Sequence, residues 1–265
     1  MRSLYPLNML RAMLQKIKSW GQYLIRMYIF GAWRRPDRYR PRKSFQQAAA
    51  DAGGGYLSEA IPERTDVKPV APSLAKLPDF FAPFFTMLSI ASMDKAGQTL
   101  RVLDFGGAHG DYAEYAAAFF SNRLPAEWNV VETEQYVRSG RERAGPVGFY
   151  SSISDIPGDL DVAIFSGVLQ YMEDWQSPLS HPKVRAANII YISRTPMGAR
   201  YLPFLQSVRQ GAGTVKYAGA ILPQHEIEEM LSSTHAMFAS WWLDHDMDWL
   251  GAVTAPPMIW KKRGS

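Results

Sequence analysis

Residues 103–111, Leu103-Asp104-Phe105-Gly106-Gly107-Ala108-His109-Gly110-Asp111, put two acids and three glycines into one short run. Glycine lets the backbone turn tightly and lets a ligand approach the peptide groups with no Cβ in the way. A helix that starts just after such a turn presents free N–H groups to a carboxylate or phosphate. Glu132 lies 22 residues after Gly110. At the end of the next strand its carboxylate can accept hydrogen bonds from both hydroxyls of a ribose. The pair of signals predicts a nucleotide-type ligand over the carboxyl ends of parallel strands. A dinucleotide fingerprint would need glycines where Ala108 and Asp111 stand, so a pyrophosphate bed is not expected.

A second group of residues could act on whatever meets that ligand. Gln170 and Tyr171 follow one apolar run, and Arg194 follows the next, just before Thr195-Pro196. Arg194 at a crevice rim could hold a phosphate or a sugar acid bidentately, or pair with Glu173 or Asp174. Tyr171 could equally belong to the core. The histidines His109, His181, His225, His235 and His245 are the other candidate bases. His109 lies inside the glycine turn, facing either ligand or solvent. The remaining four fall in loops or at helix ends, where structural or solvated roles are commoner. Trp241, Trp242 and Trp249 could stack on a sugar, although strand aromatics more often fill a core. No metal site is expected, because Asp244-His245-Asp246-Met247-Asp248 lacks the spacing of a calcium loop. The chain has no cysteine, which excludes disulfides and thiolate chemistry, and no serine-hydrolase elbow or Walker loop.

These residues need a scaffold, and the hydrophobic pattern supplies one. Strands are expected at Arg101–Phe105, Trp128–Glu132, Val147–Tyr150, Asp161–Phe165 and Asn188–Ile192. Helices are expected at Asp111–Phe120, Glu134–Arg143 and Pro223–Ser232. Alternation of the two implies a parallel sheet covered on both faces. Met237–Leu243 and Pro257–Lys261 follow each other without a helix and predict a closing antiparallel hairpin. Ser44–Ala52 reads as a short helix with a serine cap, ended by Gly53-Gly54-Gly55. Leu77–Met93 reads as a buried helix interrupted near Pro83. The expected organisation is a basic arm (1–43), a helical lead-in (44–99) and an α/β domain (100–265).

The motifs LDFGGAHGDY, WNVVET, FSGVLQYMED and YISRTP resemble those of class I S-adenosylmethionine (SAM)-dependent methyltransferases. More narrowly, they resemble a methyltransferase family associated with bacterial surface-polysaccharide biosynthesis. The likeness runs from about Ser44 to the C-terminus. It implies a Rossmann-like, doubly wound, mostly parallel seven-stranded sheet with a C-terminal antiparallel hairpin, and SAM as cofactor. It further implies that Asp104 holds the SAM amino group and that Gly106, Gly107 and Gly110 lie under its methionine portion. Ala108 replaces the middle glycine and puts a methyl group into that bed. Glu132 would hold the ribose, Ser152 and Ile153 would flank adenine, and Ser166 and Gly167 would border the methyl-donor end. Gln170, Tyr171 and Arg194 would face the acceptor.

The arm stands apart. Residues 1–43 hold eleven Lys and Arg against Asp37, a net +10, so the rest of this +4 chain carries −6. Met9, Leu10, Met13, Leu14, Ile17, Trp20, Leu24, Met27 and Tyr28 recur at helical spacing and predict an N-terminal amphipathic helix. Charges break every window of about 20 residues, so it is no membrane span. Its apolar face could meet an anionic lipid surface or pack on protein, and the basic run could contact RNA. Nucleic acid is the least favoured partner because the body is acidic. The expected function is O-methylation of a saccharide or lipid-linked saccharide, cytoplasmic and peripheral on the inner face of a membrane. The alternative is a non-catalytic scaffold that keeps the fold within a membrane glycan-assembly complex.

Overall fold

A computed structural model describes residues 39–53, 81–142, 145–210, 213–241 and 254–264. The arm helix over 8–28, residues 54–80, Trp242, Trp249 and the acidic run around His245 lie outside the described residues. The elements in chain order are β1 (Tyr39–Pro41), α1 (Phe45–Ala52), α2 (Phe81–Asp94), β2 (Leu100–Phe105), α3 (Asp111–Phe119), β3 (Ala126–Val131), α4 (Glu134–Glu142) and β4 (Val147–Tyr150). Then come β5 (Val162–Ser166), α5 (Gln176–Ser180), α6 (Pro182–Ala186), β6 (Ile189–Ser193), β7 (Met197–Gly198), β8 (Leu202–Gln210), β9 (Gly213–Pro223), α7 (Gln224–Ser232), β10 (His235–Ser240) and β11 (Met258–Lys262). Short 3-10 turns follow β4 at Ile153–Asp155 and β5 at Leu169–Tyr171.

The main sheet has seven strands in the order β10-β11-β6-β5-β2-β3-β4. Strands β4, β3, β2, β5 and β6 pair in parallel, and β11 runs antiparallel to both its neighbours, β6 and β10. This is the expected doubly wound arrangement with its closing hairpin. Order reverses around β2, whose neighbours β3 and β5 lead away in opposite directions. The crevice outside the carboxyl ends of β2 and β5 is therefore the ligand position that topology favours.

Strand side chains alternate between faces, and both faces are buried. Leu103, Phe165 and Ile190 meet Leu179, Val184, Ile227 and Leu231 of α5, α6 and α7 on one side. Val102, Ile164 and Tyr191 meet Phe84, Phe85, Met87 and Leu88 of α2, with Ala116 and Val137, on the other. Helix α2 runs through Pro83 without a break, correcting the expected interruption. Pro83 lies in the first turn, where a backbone N–H has no helical acceptor to lose. Helix α1 is as expected: the Ser44 side chain accepts from Gln47 N, and Gly53 closes it at φ 66°.

A second sheet was not anticipated. Strands β1, β8, β9 and β7 form it; β7, β8 and β9 are inserted between β6 and α7, and β1 joins them from the N-terminal side of α1. Its core is an antiparallel hairpin of β8 and β9, edged by β1. Tyr39–Pro41, read as the end of a basic linker, is therefore a strand. Arg42 from the same run ion-pairs with Asp51 at 2.5 Å. No helix among the described residues is long and apolar enough to cross a membrane.

Candidate functional site

Strand β2 delivers Asp104 to the base of the crevice, where it is 1% exposed. The chain then turns through Gly106 and Gly110, at φ 71° and 82°, into α3. A side chain at Gly106 would strike Val168, and one at Gly107 would strike the Asp104 carboxyl group. The second clash explains why glycine must follow the acid: the peptide lies directly on the carboxylate. Ala108 also adopts the left-handed region, at φ 48°, where glycine would be unstrained.

Asp104 accepts one hydrogen bond, from Trp128 Nε1 at 3.3 Å. Burial drives its pKa from 3.8 up to about 7, against the Trp128 bond and helped by the charges of Glu132 and Asp111. Glu132 closes the other side of the turn. Its Oε1 accepts from Ala108 N at 3.2 Å and its Oε2 from Thr133 N at 2.7 Å. Burial raises its pKa too, while those backbone donors oppose the rise. A buried and a half-buried acid under one glycine turn repel phosphate and suit a ligand with a cationic group and a diol.

Strand β5 ends at Ser166. Its Oγ lies 2.6 Å from the Tyr112 hydroxyl and accepts from Ser193 Oγ at 2.8 Å. Gly167 continues at φ 70°. A Cβ there would sit within 3.6 Å of the Arg194 guanidinium, so Arg194 lies over it. Arg194 itself bends through φ 55°, an unusual angle for a long side chain. Burial raises the Tyr112 pKa, while Arg194 and Ser166 act against that rise. Sequence reasoning missed Tyr112 and Ser193. Tyr112 does stand at the end of the glycine motif, but its pairing with Ser166 and Ser193 arises only from the register of β5 and β6.

The 3-10 turn after β5 brings up Gln170 and Tyr171. Gln170 is 5% exposed, and its Nε2 donates to Arg194 O at 3.5 Å. The Tyr171 hydroxyl donates to Gln206 Oε1 of β8 at 2.8 Å. Gln206 Nε2 in turn donates to the Tyr39 hydroxyl at 3.3 Å. Burial is the largest influence raising the Tyr171 pKa. Gln170, Arg194 and Gln206 are close enough to pull it back down. The three acceptor-side candidates thus meet at one place, and the inserted sheet adds Gln206, Tyr39 and Tyr217.

Ser152 and Ile153 begin the turn after β4. Ser152 Oγ accepts from Ser154 N, and Ile153 is buried in the core cluster that also holds Leu103 and Val131. Of the histidines, His109 packs against Tyr136, ring centroids 5.1 Å apart. His181 caps α6 by accepting from Lys183 N. His235 is not at a helix end but starts β10, fully buried between Thr234 Oγ1 and Ala187 O. Neither His181 nor His235 reaches the crevice through these bonds. Among the described residues no three His, Asp or Glu side chains gather as a metal site would require.

No family model and no curated protein matches the chain in sequence. Among solved structures it is similar to a SAM-dependent methyltransferase from Clostridium acetobutylicum, at 11% identity and TM-score 0.46, over 71% of this chain and 93% of that one. It is also similar to a protein from Pyrococcus horikoshii, at 12% identity and TM-score 0.43, over 70% and 93%. A third is a glycopeptide N-methyltransferase complexed with SAM, at 10% identity and TM-score 0.39, over 65% and 92%. At this distance none of them says what the present chain does.

Proposed function

We propose that the chain binds SAM over the carboxyl ends of β2, β3 and β5 and methylates an oxygen of a saccharide or lipid-linked saccharide. The observation that carries this reading is the buried Asp104 carboxylate beneath the glycine turn. An acid so placed is costly unless a cation neutralises it. SAM offers an ammonium group for Asp104 and a ribose diol for Glu132, and it brings no phosphate for the two acids to repel. When bound it supplies an electrophilic methyl group on a sulfonium. Gly106, Gly107, Ala108 and Gly110 would form its bed, Ser152 and Ile153 would flank adenine, and Ser166 and Gly167 would border the methyl.

Gln170, Tyr171 and Arg194 would then align the acceptor. None of them is a strong base at neutral pH, so orientation against the methyl group carries the rate. The saccharide assignment draws on the likeness of the sequence motifs and on the hydrogen-bonding side chains on this side of the crevice. We place the work on the cytoplasmic face of a membrane, through the basic arm. A non-catalytic scaffold is the second reading. It is favoured by Glu132 already spending both carboxylate oxygens on backbone N–H groups.

Calorimetric titration of SAM and S-adenosylhomocysteine (SAH) into wild type and Glu132→Ala tests the proposal. Binding should weaken by about 1–3 kcal/mol in the variant. Turnover of SAM to SAH with a saccharide acceptor separates enzyme from scaffold. A folded wild type that binds neither ligand overturns both the cofactor and the activity.

A further inference from the structure

At the carboxyl end of β5 three hydroxyls form a row whose hydrogens can be counted. The Ser193 hydroxyl gives its hydrogen to Ser166 Oγ at 2.8 Å. Ser166 Oγ and the Tyr112 hydroxyl lie 2.6 Å apart and share one hydrogen, which either can supply. A serine and a tyrosine bring one hydroxyl hydrogen each. The pair therefore keeps a second hydrogen, whichever way the shared one lies. Arg194 also bonds to Tyr112, but a guanidinium only donates and cannot take that hydrogen. Asp104 acts on Tyr112 through its charge, while the bond it accepts comes from Trp128. Among the described residues no acceptor meets the remaining hydrogen.

The row runs from the core to the crevice. Ser193 is buried, whereas Ser166, Gly167 and Val168 are half-buried, as are Gly106 to His109 on the neighbouring turn. Asp104 is paired with Ile164 in the sheet. Ser166 therefore stands one strand over and two residues further toward the crevice, roughly 8 Å away between Cα atoms. The two ends differ in chemistry. Asp104 is an acid that a cation would neutralise, and Ser166 is a hydroxyl backed by a second hydroxyl, with a hydrogen to give. An α-amino acid carries an ammonium and a carboxylate on one carbon. With a hydrogen bond of about 2.8 Å at each end, such a group bridges the two.

We infer that Ser166 binds the carboxylate at the amino-acid end of the ligand whose ammonium meets Asp104, with Ser193 feeding its oxygen from behind and Tyr112 fixing it from the side. This inference rests on the cofactor reading above and deepens it, by naming the residue that recognises the second charge of the methionine portion. The crevice then distinguishes a nucleoside that ends in an amino acid from one that ends in an amine.

The test titrates the full chain with SAH and with decarboxylated SAH, which keeps the adenosine, the thioether and the ammonium but lacks the carboxylate. Ser166→Ala should weaken SAH by about tenfold or more, the worth of a hydrogen bond to a charged group. The same variant should leave the affinity for the decarboxylated nucleoside unchanged. Ser166→Cys, close in size and only a weak donor, should show the same selective loss and serves if the alanine variant does not fold. SAH affinity unchanged in the folded variants overturns the inference, and so does an equal loss for both ligands, which would mean that Ser166 only shapes the crevice. If the wild type binds neither nucleoside, the cofactor reading itself falls and this inference with it.

Discussion

Asp104 links the stability of the fold to the ligand it awaits. Its pKa is about 7 in the folded chain against 3.8 as a free side chain. Between those values the native state holds a proton that the unfolded chain does not. The stabilisation from this proton is complete below the unfolded pKa and is lost as pH rises through the folded one. Asp104→Asn should therefore melt higher than wild type at pH 8, and the gap should narrow toward pH 5, as thermal unfolding at the two pH values would reveal. The same variant should lose SAM binding, a trade of function for stability. An equal melting difference at both pH values would contradict the assignment. Ala108 gives a second prediction at this scale. Relieving its left-handed conformation, Ala108→Gly should stabilise the chain by about 1 kcal/mol, which a denaturant melt can resolve; a loss of stability would mean that the angle carries no strain. The acid, the glycines and Glu132 were legible in the sequence because each has a backbone reason to sit where it does. Tyr112, Ser193 and Gln206 were not, since a hydroxyl or an amide becomes a site residue only through what the fold puts beside it.

At the scale of elements, periodicity located the main sheet because its central strands β5 and β6 are continuous apolar runs buried on both faces. The boundaries moved by one or two residues, as at Val162–Ser166 and Ile189–Ser193. The inserted hairpin escaped for a physical reason. Strand β8 carries Pro203 and β9 the run Ala218-Gly219-Ala220, so neither shows a clean alternation of apolar and polar residues. Gly219 is small because the ring of the buried Phe204 occupies its side-chain space. Gly219→Val should cost about 1–3 kcal/mol through overpacking and should disturb the acceptor side. SAH binding, which depends on β2, β3 and β5, should persist. Loss of SAH binding in a folded Gly219→Val protein would mean that the two sheets form one site rather than two adjoining ones.

For the whole molecule, charge divides the labour: a basic arm precedes an acidic body whose crevice is itself acidic at its base. We expect the full chain to co-sediment with anionic liposomes, less so at high salt. Removal of residues 1–38, which spares strand β1, should abolish this; equal sedimentation of the shortened chain would assign the apolar face of the arm to protein contact. The central claim is that a buried acid waits for a cation. Its most direct test is titration of SAH into the wild-type chain between pH 6 and 8, in buffers of different ionisation enthalpy. If the ligand ammonium meets Asp104, binding releases a proton below the pKa of about 7, and affinity rises with pH until it levels off above that value. Binding without proton release, or no binding by a folded chain, would contradict the account.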